Sequence, residues 1–150
     1  MSGFASKGGV MGVQGSHHGH PVTMATGCAV LEWLREHRAT FYTEMRARLA
    51  SMAADLNEHC SSGGYECHFV STDAWLDVYF QTPRVERAAD LDPTRGKGRF
   101  MRDFNLHLLS NGVFIAGKVF LNASLVEEDY AHLLRALKAS VDSMHADGLV

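Results

Sequence analysis

The chain has 150 residues, 46% of them hydrophobic and 21% charged, which suits one folded domain with a buried core and excludes a disordered segment. Fourteen Lys+Arg against 17 Asp+Glu leave a formal charge of −3, and this argues against nucleic-acid binding, which needs a concentrated basic face. No apolar run reaches bilayer-spanning length, so no membrane association is expected. Three cysteines, Cys28, Cys60 and Cys67, cannot all pair internally and favour free thiols in a reducing, cytoplasmic setting.

Residues 1–20 are rich in glycine and poor in large apolar side chains, so this stretch cannot anchor a core by itself. Pro21 suits the first turn of a helix. Val22, Ala25, Ala29 and Trp33, with Met24, Cys28 and Leu31 on an adjoining stripe, make that helix apolar around much of its circumference, and burial is expected. Arg35 to Arg38 marks its polar end. A second helix carries Phe41, Met45, Leu49, Met52 and Leu56 on one face, and Ser61-Ser62-Gly63-Gly64 stops it.

The period then changes to two. Tyr65, Cys67 and Phe69 alternate with Glu66 and His68; Leu76, Val78 and Phe80 alternate with Trp75, Asp77 and Tyr79. With Ser71-Thr72-Asp73 as a turn, the two runs predict a hairpin. Residues 81–99 hold Pro83, Pro93, Gly96, Gly98 and eight charged residues, and are expected to be a mobile loop. Its basic end, Arg95 to Arg99, reads as a solvated loop rather than an anion site. Phe100, Met101, Phe104 and Leu108 predict a third helix, ending before Asn111-Gly112. Two short strands follow, Val113–Ile115 and Val119–Ala123, joined through Gly117-Lys118. A last helix starts near Ser124 or Glu127, with Tyr130, Leu133, Leu137, Val141 and Met144 on its apolar face. This order predicts an α+β fold: a small antiparallel sheet of about four strands with helices packed on one face.

His17-His18-Gly19-His20 is dense enough in imidazole to suggest zinc, with Cys28, Cys60 or Cys67 completing a set. No Cys-x-x-Cys or helical His-x3-His accompanies it, so these read as loop histidines and no metal site is assigned. Cys28 and Cys67 read as inert core thiols, and Cys60, at a helix end, as the more exposed one. Trp33 and Trp75 read as core or interface residues. Lys7 sits in a glycine-rich start without an apolar pocket, a poor setting for a Schiff-base lysine.

Residues 15–31, Gly-Ser-His-His-Gly-His-Pro-Val-Thr-Met-Ala-Thr-Gly-Cys-Ala-Val-Leu, resemble the segment of class III pyridoxal-phosphate (PLP) aminotransferases that leads from a phosphate-binding loop into the small domain. That pattern is Gly-Thr, three residues, Asn/His-Pro, three residues, Ala. The segment is similar to the glutamate-1-semialdehyde aminomutase branch and to aminotransferase modules of polyketide and peptide synthases, and some of those modules resemble it in carrying His-Pro, as His20-Pro21 does here. Residues 67–80 resemble the small-domain hairpin. Residues 104–115 resemble the family's late helix and Gly-Val-aromatic strand, and residues 120–134 its final helix start. The likeness runs from residue 15 to the end of the last helix.

The resemblance implies the C-terminal small domain of a fold-type I PLP transferase over residues 21–150, preceded by a phosphate-loop remnant over 1–20. Ser16 stands where the family's threonine binds the cofactor phosphate of a neighbouring subunit, and Gly15 would let the backbone approach it. The family's cofactor lysine lies upstream of this motif, and only 15 residues precede Ser16. The chain is therefore expected to hold no catalytic residue, to bind PLP non-covalently at most, and to be inactive alone. Its expected partners are a second copy or a large domain. The alternative is a non-catalytic interaction or regulatory module that associates with itself or with a full-length aminotransferase.

Overall fold

The computed structural model describes residues 19–72, 75–82, 84–87, 90, 97–115 and 118–150, the side chains of 97–99 excepted. The chain divides into two compact units, residues 1–41 and 42–150. In the first, helix α1 (Pro21–Glu36) begins with Pro21 in its opening turn and ends at His37. The His37 N–H donates to Trp33 O at 3.0 Å, and its ring stacks on Trp33 with 4.4 Å between centroids. Phe41 meets Trp33 edge-on. Contrary to the burial expected from its composition, α1 has no buried residue. Leu31 is 67% exposed, Val22 66% and Met24 57%. Aromatic contacts form at its C-terminal end, and Val22, Met24 and Leu31 of its apolar stripe are exposed.

The second unit holds the core. Helix α2 (Arg38–Gly63) contributes Leu49, Met52, Leu56 and Cys60. Strands β1 (Cys67–Ser71) and β2 (Trp75–Phe80) form the expected hairpin, with Phe69 opposite Val78 and Ser71 opposite Leu76. The Thr72 N–H closes its turn onto Trp75 O at 2.9 Å. Helix α3 (Lys97–Ser110) follows, then β3 (Val119–Phe120), antiparallel to β2, and α4 (Glu127–Ala146). Phe69, Leu76, Val78 and Phe80 share one core with Phe104 and Leu108 of α3 and Leu137, Val141 and Met144 of α4. The architecture is α+β: helices line the inner face of an antiparallel sheet of order β1-β2-β3.

Among the described residues the sheet has three strands, one fewer than expected, and the helix caps explain why. At the end of α3, Val113 N–H bonds to Leu108 O and Gly112 N–H to Leu109 O, with Gly112 at φ +76°. This is a Schellman closure. It takes the Val113 donor that a strand over 113–115 would need. The same closure ends α2, where Tyr65 N–H bonds to Cys60 O and Gly64 N–H to Ser61 O. It delays β1 from Tyr65 to Cys67. Helix α3 also starts at Lys97, inside the segment 81–99 expected to be loop. The N-cap of α4 is Val126, whose N–H donates to Asp129 Oδ2 at 3.0 Å, while Ser124 turns back to Asn122 Oδ1.

Candidate functional site

The residues the sequence nominates for phosphate contact, Gly15 and Ser16, lie outside the described residues, as do Lys7, His17 and His18. His20 is described: it is the N-cap of α1, its carbonyl accepts from Met24 N–H at 3.0 Å, and it is exposed. Among the described residues no three His, Cys, Asp or Glu side chains converge as metal ligands. The cysteines are distributed differently from expectation. Cys28, read as buried, is exposed on α1, and Cys60, read as the more exposed thiol, is buried. The apolar side of α2 continues one turn beyond Leu56 to Cys60. Cys67 is buried as expected, on the inner face of β1.

Cys60 and Cys67 meet, their sulfurs 3.0 Å apart. The Gly63-Gly64 turn makes this approach possible. The Tyr65 ring folds over Gly63, where an added Cβ would lie 2.5 Å from Tyr65 Cζ. Hydrogen bonding from Cys67 lowers the Cys60 thiol below its ordinary range, and the same bond, with burial, pushes Cys67 up.

Above this pair, Asp142 of α4 gathers two side chains. His59 Nε2 lies 2.7 Å from Asp142 Oδ1, and the Tyr65 hydroxyl donates to the same oxygen at 2.9 Å. That bond raises the Tyr65 phenol above its usual range, since ionisation would set a phenolate against a carboxylate. The Tyr65 ring also lies 4.5 Å from that of His145. Two further pairs join the same helices: Lys138 to Asp55 at 2.7 Å and Arg48 to Glu127 at 2.6 Å. Partners rise together in number along α2 (48, 55, 59) and α4 (127, 138, 142), so the two helices run in the same direction. Sequence reasoning missed this ladder, because its partners stand 79 to 83 residues apart.

The outer face of the sheet carries Trp75, Asp77, Lys118 and Phe120. Asp77 is 6% exposed although it points away from the core. Lys118 Nζ lies 3.7 Å from Asp77 Oδ2 and 4.4 Å from the centre of the Trp75 ring, and Trp75 tilts against Phe120. A lysine that carries a carbonyl cofactor needs to be desolvated and free of a fixed carboxylate. Lys118 is paired with Asp77 and Lys138 with Asp55, so neither described lysine side chain fits covalent PLP attachment. The hollow beneath the sheet is lined by Phe69, Leu76, Asp77, Val78 and Phe104.

No known family profile matches the sequence, and no curated protein matches it. Solved structures do. An omega-transaminase from Sphaerobacter thermophilus matches with a TM-score of 0.67 and 17% identity, over 96% of this chain and 33% of its own. A transaminase with PLP bound matches with a TM-score of 0.65 and 19% identity, over 99% of this chain and 34% of its own. A beta-phenylalanine aminotransferase from Variovorax paradoxus matches with a TM-score of 0.60 and 22% identity, over 69% of this chain and 24% of its own. The chain thus spans a quarter to a third of these proteins, and at such identities the likeness is one of fold.

Proposed function

We propose that this chain is the small domain of a PLP-dependent class III aminotransferase, nearest the branch of glutamate-1-semialdehyde aminomutases and polyketide-synthase aminotransferase modules. In this reading it closes over a substrate and joins a dimer. Ser16 supplies hydrogen-bond donors to the cofactor phosphate of a neighbouring subunit, and Gly15 lets the backbone approach it. The observation that carries the reading is coextension: nearly the whole chain follows the fold of one third of a transaminase. The ordered run of small-domain motifs from Gly15 to Leu134 supports it independently. The ion-paired states of Lys118 and Lys138 agree with covalent chemistry being located elsewhere. PLP, when bound by such an enzyme, acts as the electron sink for amino-group transfer between an amine donor and a carbonyl acceptor.

The test is direct. The purified 150-residue protein, supplied with PLP, an amine donor and a keto acid, is expected to form no product. Turnover that disappears on Lys118→Ala or Lys138→Ala would overturn the reading. A non-catalytic interaction module remains the second reading, favoured by the exposed Val22, Met24, Val30 and Leu31 of α1. Size-exclusion chromatography separates the two. A self-contained module elutes as one defined species alone, whereas a small domain lacking its large domain aggregates.

A further inference from the structure

Cys60 lies in the last turns of α2 and Cys67 opens β1, each 2% exposed. Their sulfurs converge to 3.0 Å, about 1 Å beyond the length of a disulfide bond. The segment between them folds through Gly63-Gly64, with Gly64 at φ +69°, a turn that brings the end of α2 back onto the start of β1. A plain core would be as well filled by any two small apolar side chains. Two converging sulfurs add a chemistry that packing does not require. The proposed aminotransferase role uses neither thiol.

We propose that Cys60 and Cys67 form a redox site, closed to a disulfide by a small hydroperoxide, that ties the end of α2 to β1. Either thiol can donate across this contact; donation by Cys67 lowers the Cys60 thiol, which makes Cys60 the readier thiolate and so the attacking group. In the first step Cys60 attacks one peroxide oxygen. An S–O bond forms, the O–O bond breaks, and the leaving oxygen takes back from solvent the proton that Cys60 gave up on ionising, becoming water or an alcohol. In the second step the Cys67 sulfur attacks the Cys60 sulfur. The S–S bond forms, the S–O bond breaks, and hydroxide departs with the Cys67 proton as water. The two thiols lose two electrons and two hydrogens; the hydroperoxide is reduced by the same two electrons. Burial favours a small peroxide over a bulky low-molecular-weight disulfide as the oxidant.

The test uses the full chain with Cys28→Ser, which leaves two thiols. After hydrogen peroxide treatment, denaturation and alkylation, the intact mass should fall by about 2 Da, the two hydrogens lost on disulfide formation. Peptide mapping should find the Cys60 and Cys67 peptides joined, and dithiothreitol should separate them. The oxidised protein should also unfold at a higher urea concentration than the reduced one. Two alkylatable thiols surviving a peroxide dose that oxidises Cys28 in the wild-type chain would overturn the proposal. So would oxidation of either sulfur to sulfinic acid with no joined peptide. With Cys67→Ser added, Cys60 should stop at a sulfenic acid that dimedone traps; an unlabelled Cys60 would overturn its assignment as the attacking sulfur.

Discussion

At Phe69 the N–H and C=O of β1 both turn away from β2, and one side chain satisfies them. Asn57 accepts from Phe69 N–H at 2.7 Å and donates to Phe69 O at 2.8 Å, completing the edge as a neighbouring strand would. The sequence shows an asparagine on a helix and nothing of this use. One residue before Phe69, His68 carries a consequence for stability. Burial, with a smaller push from the Arg84 guanidinium, holds the His68 imidazolium below its ordinary range. The unfolded chain therefore binds this proton more readily than the folded one. Stability contributed by neutral His68 is intact above the ordinary imidazole pKa. It is lost as pH falls through that value toward the lower folded one, after which the loss levels off. His68→Asn removes the site, so urea unfolding should show a smaller drop in stability from about pH 7 to about pH 5 than in the wild type. An equal drop in both proteins would contradict the assignment.

Helices were the most legible elements, because their apolar spacing is also their packing. Leu49, Met52 and Leu56 of α2, Phe104 and Leu108 of α3, and Leu137, Val141 and Met144 of α4 are all buried as their periodicity predicts. Strand ends were less legible. Gly64 and Gly112 direct the backbone donors of Tyr65 and Val113 to carbonyls at the helix ends, and side-chain alternation carries no record of that. Helix α1 fails for a different reason: its pattern announces an apolar surface, and a pattern cannot say what lies against it. The contrast between α1 and α2 is measurable. Leu56→Ala opens a cavity at a fully buried site and should cost about 2–5 kcal/mol. Leu31→Ala, at a position 67% exposed, should change stability by no more than about 0.5 kcal/mol. Chemical denaturation of the two variants beside the wild type checks both values, and a Leu31→Ala cost approaching that of Leu56→Ala would show that α1 is covered.

At the scale of the whole chain, the core and the nominated phosphate site belong to different units. Gly15 and Ser16 lie in residues 1–41, whereas every residue of the hydrophobic core, from Leu49 to Met144, lies in residues 42–150. The resemblance nominates the phosphate contacts from a motif. The periodicities nominate the core from physics, and the structure speaks to the second of these alone. The three pairs joining α2 to α4 and the cap that closes α2 are all internal to the larger unit. The folding of that unit should therefore not depend on α1. A chain of residues 38–150, which keeps α2 whole, removes helix α1, in which no residue is buried, and should lose no more than about 1 kcal/mol of stability. Its urea transition should stay cooperative, with a slope close to that of the full chain, because the slope follows the surface exposed on unfolding. A transition that broadens, or a midpoint that collapses on removing residues 1–37, would mean that the first unit shares the core. It would also make the exposed face of α1 a layer of the domain itself.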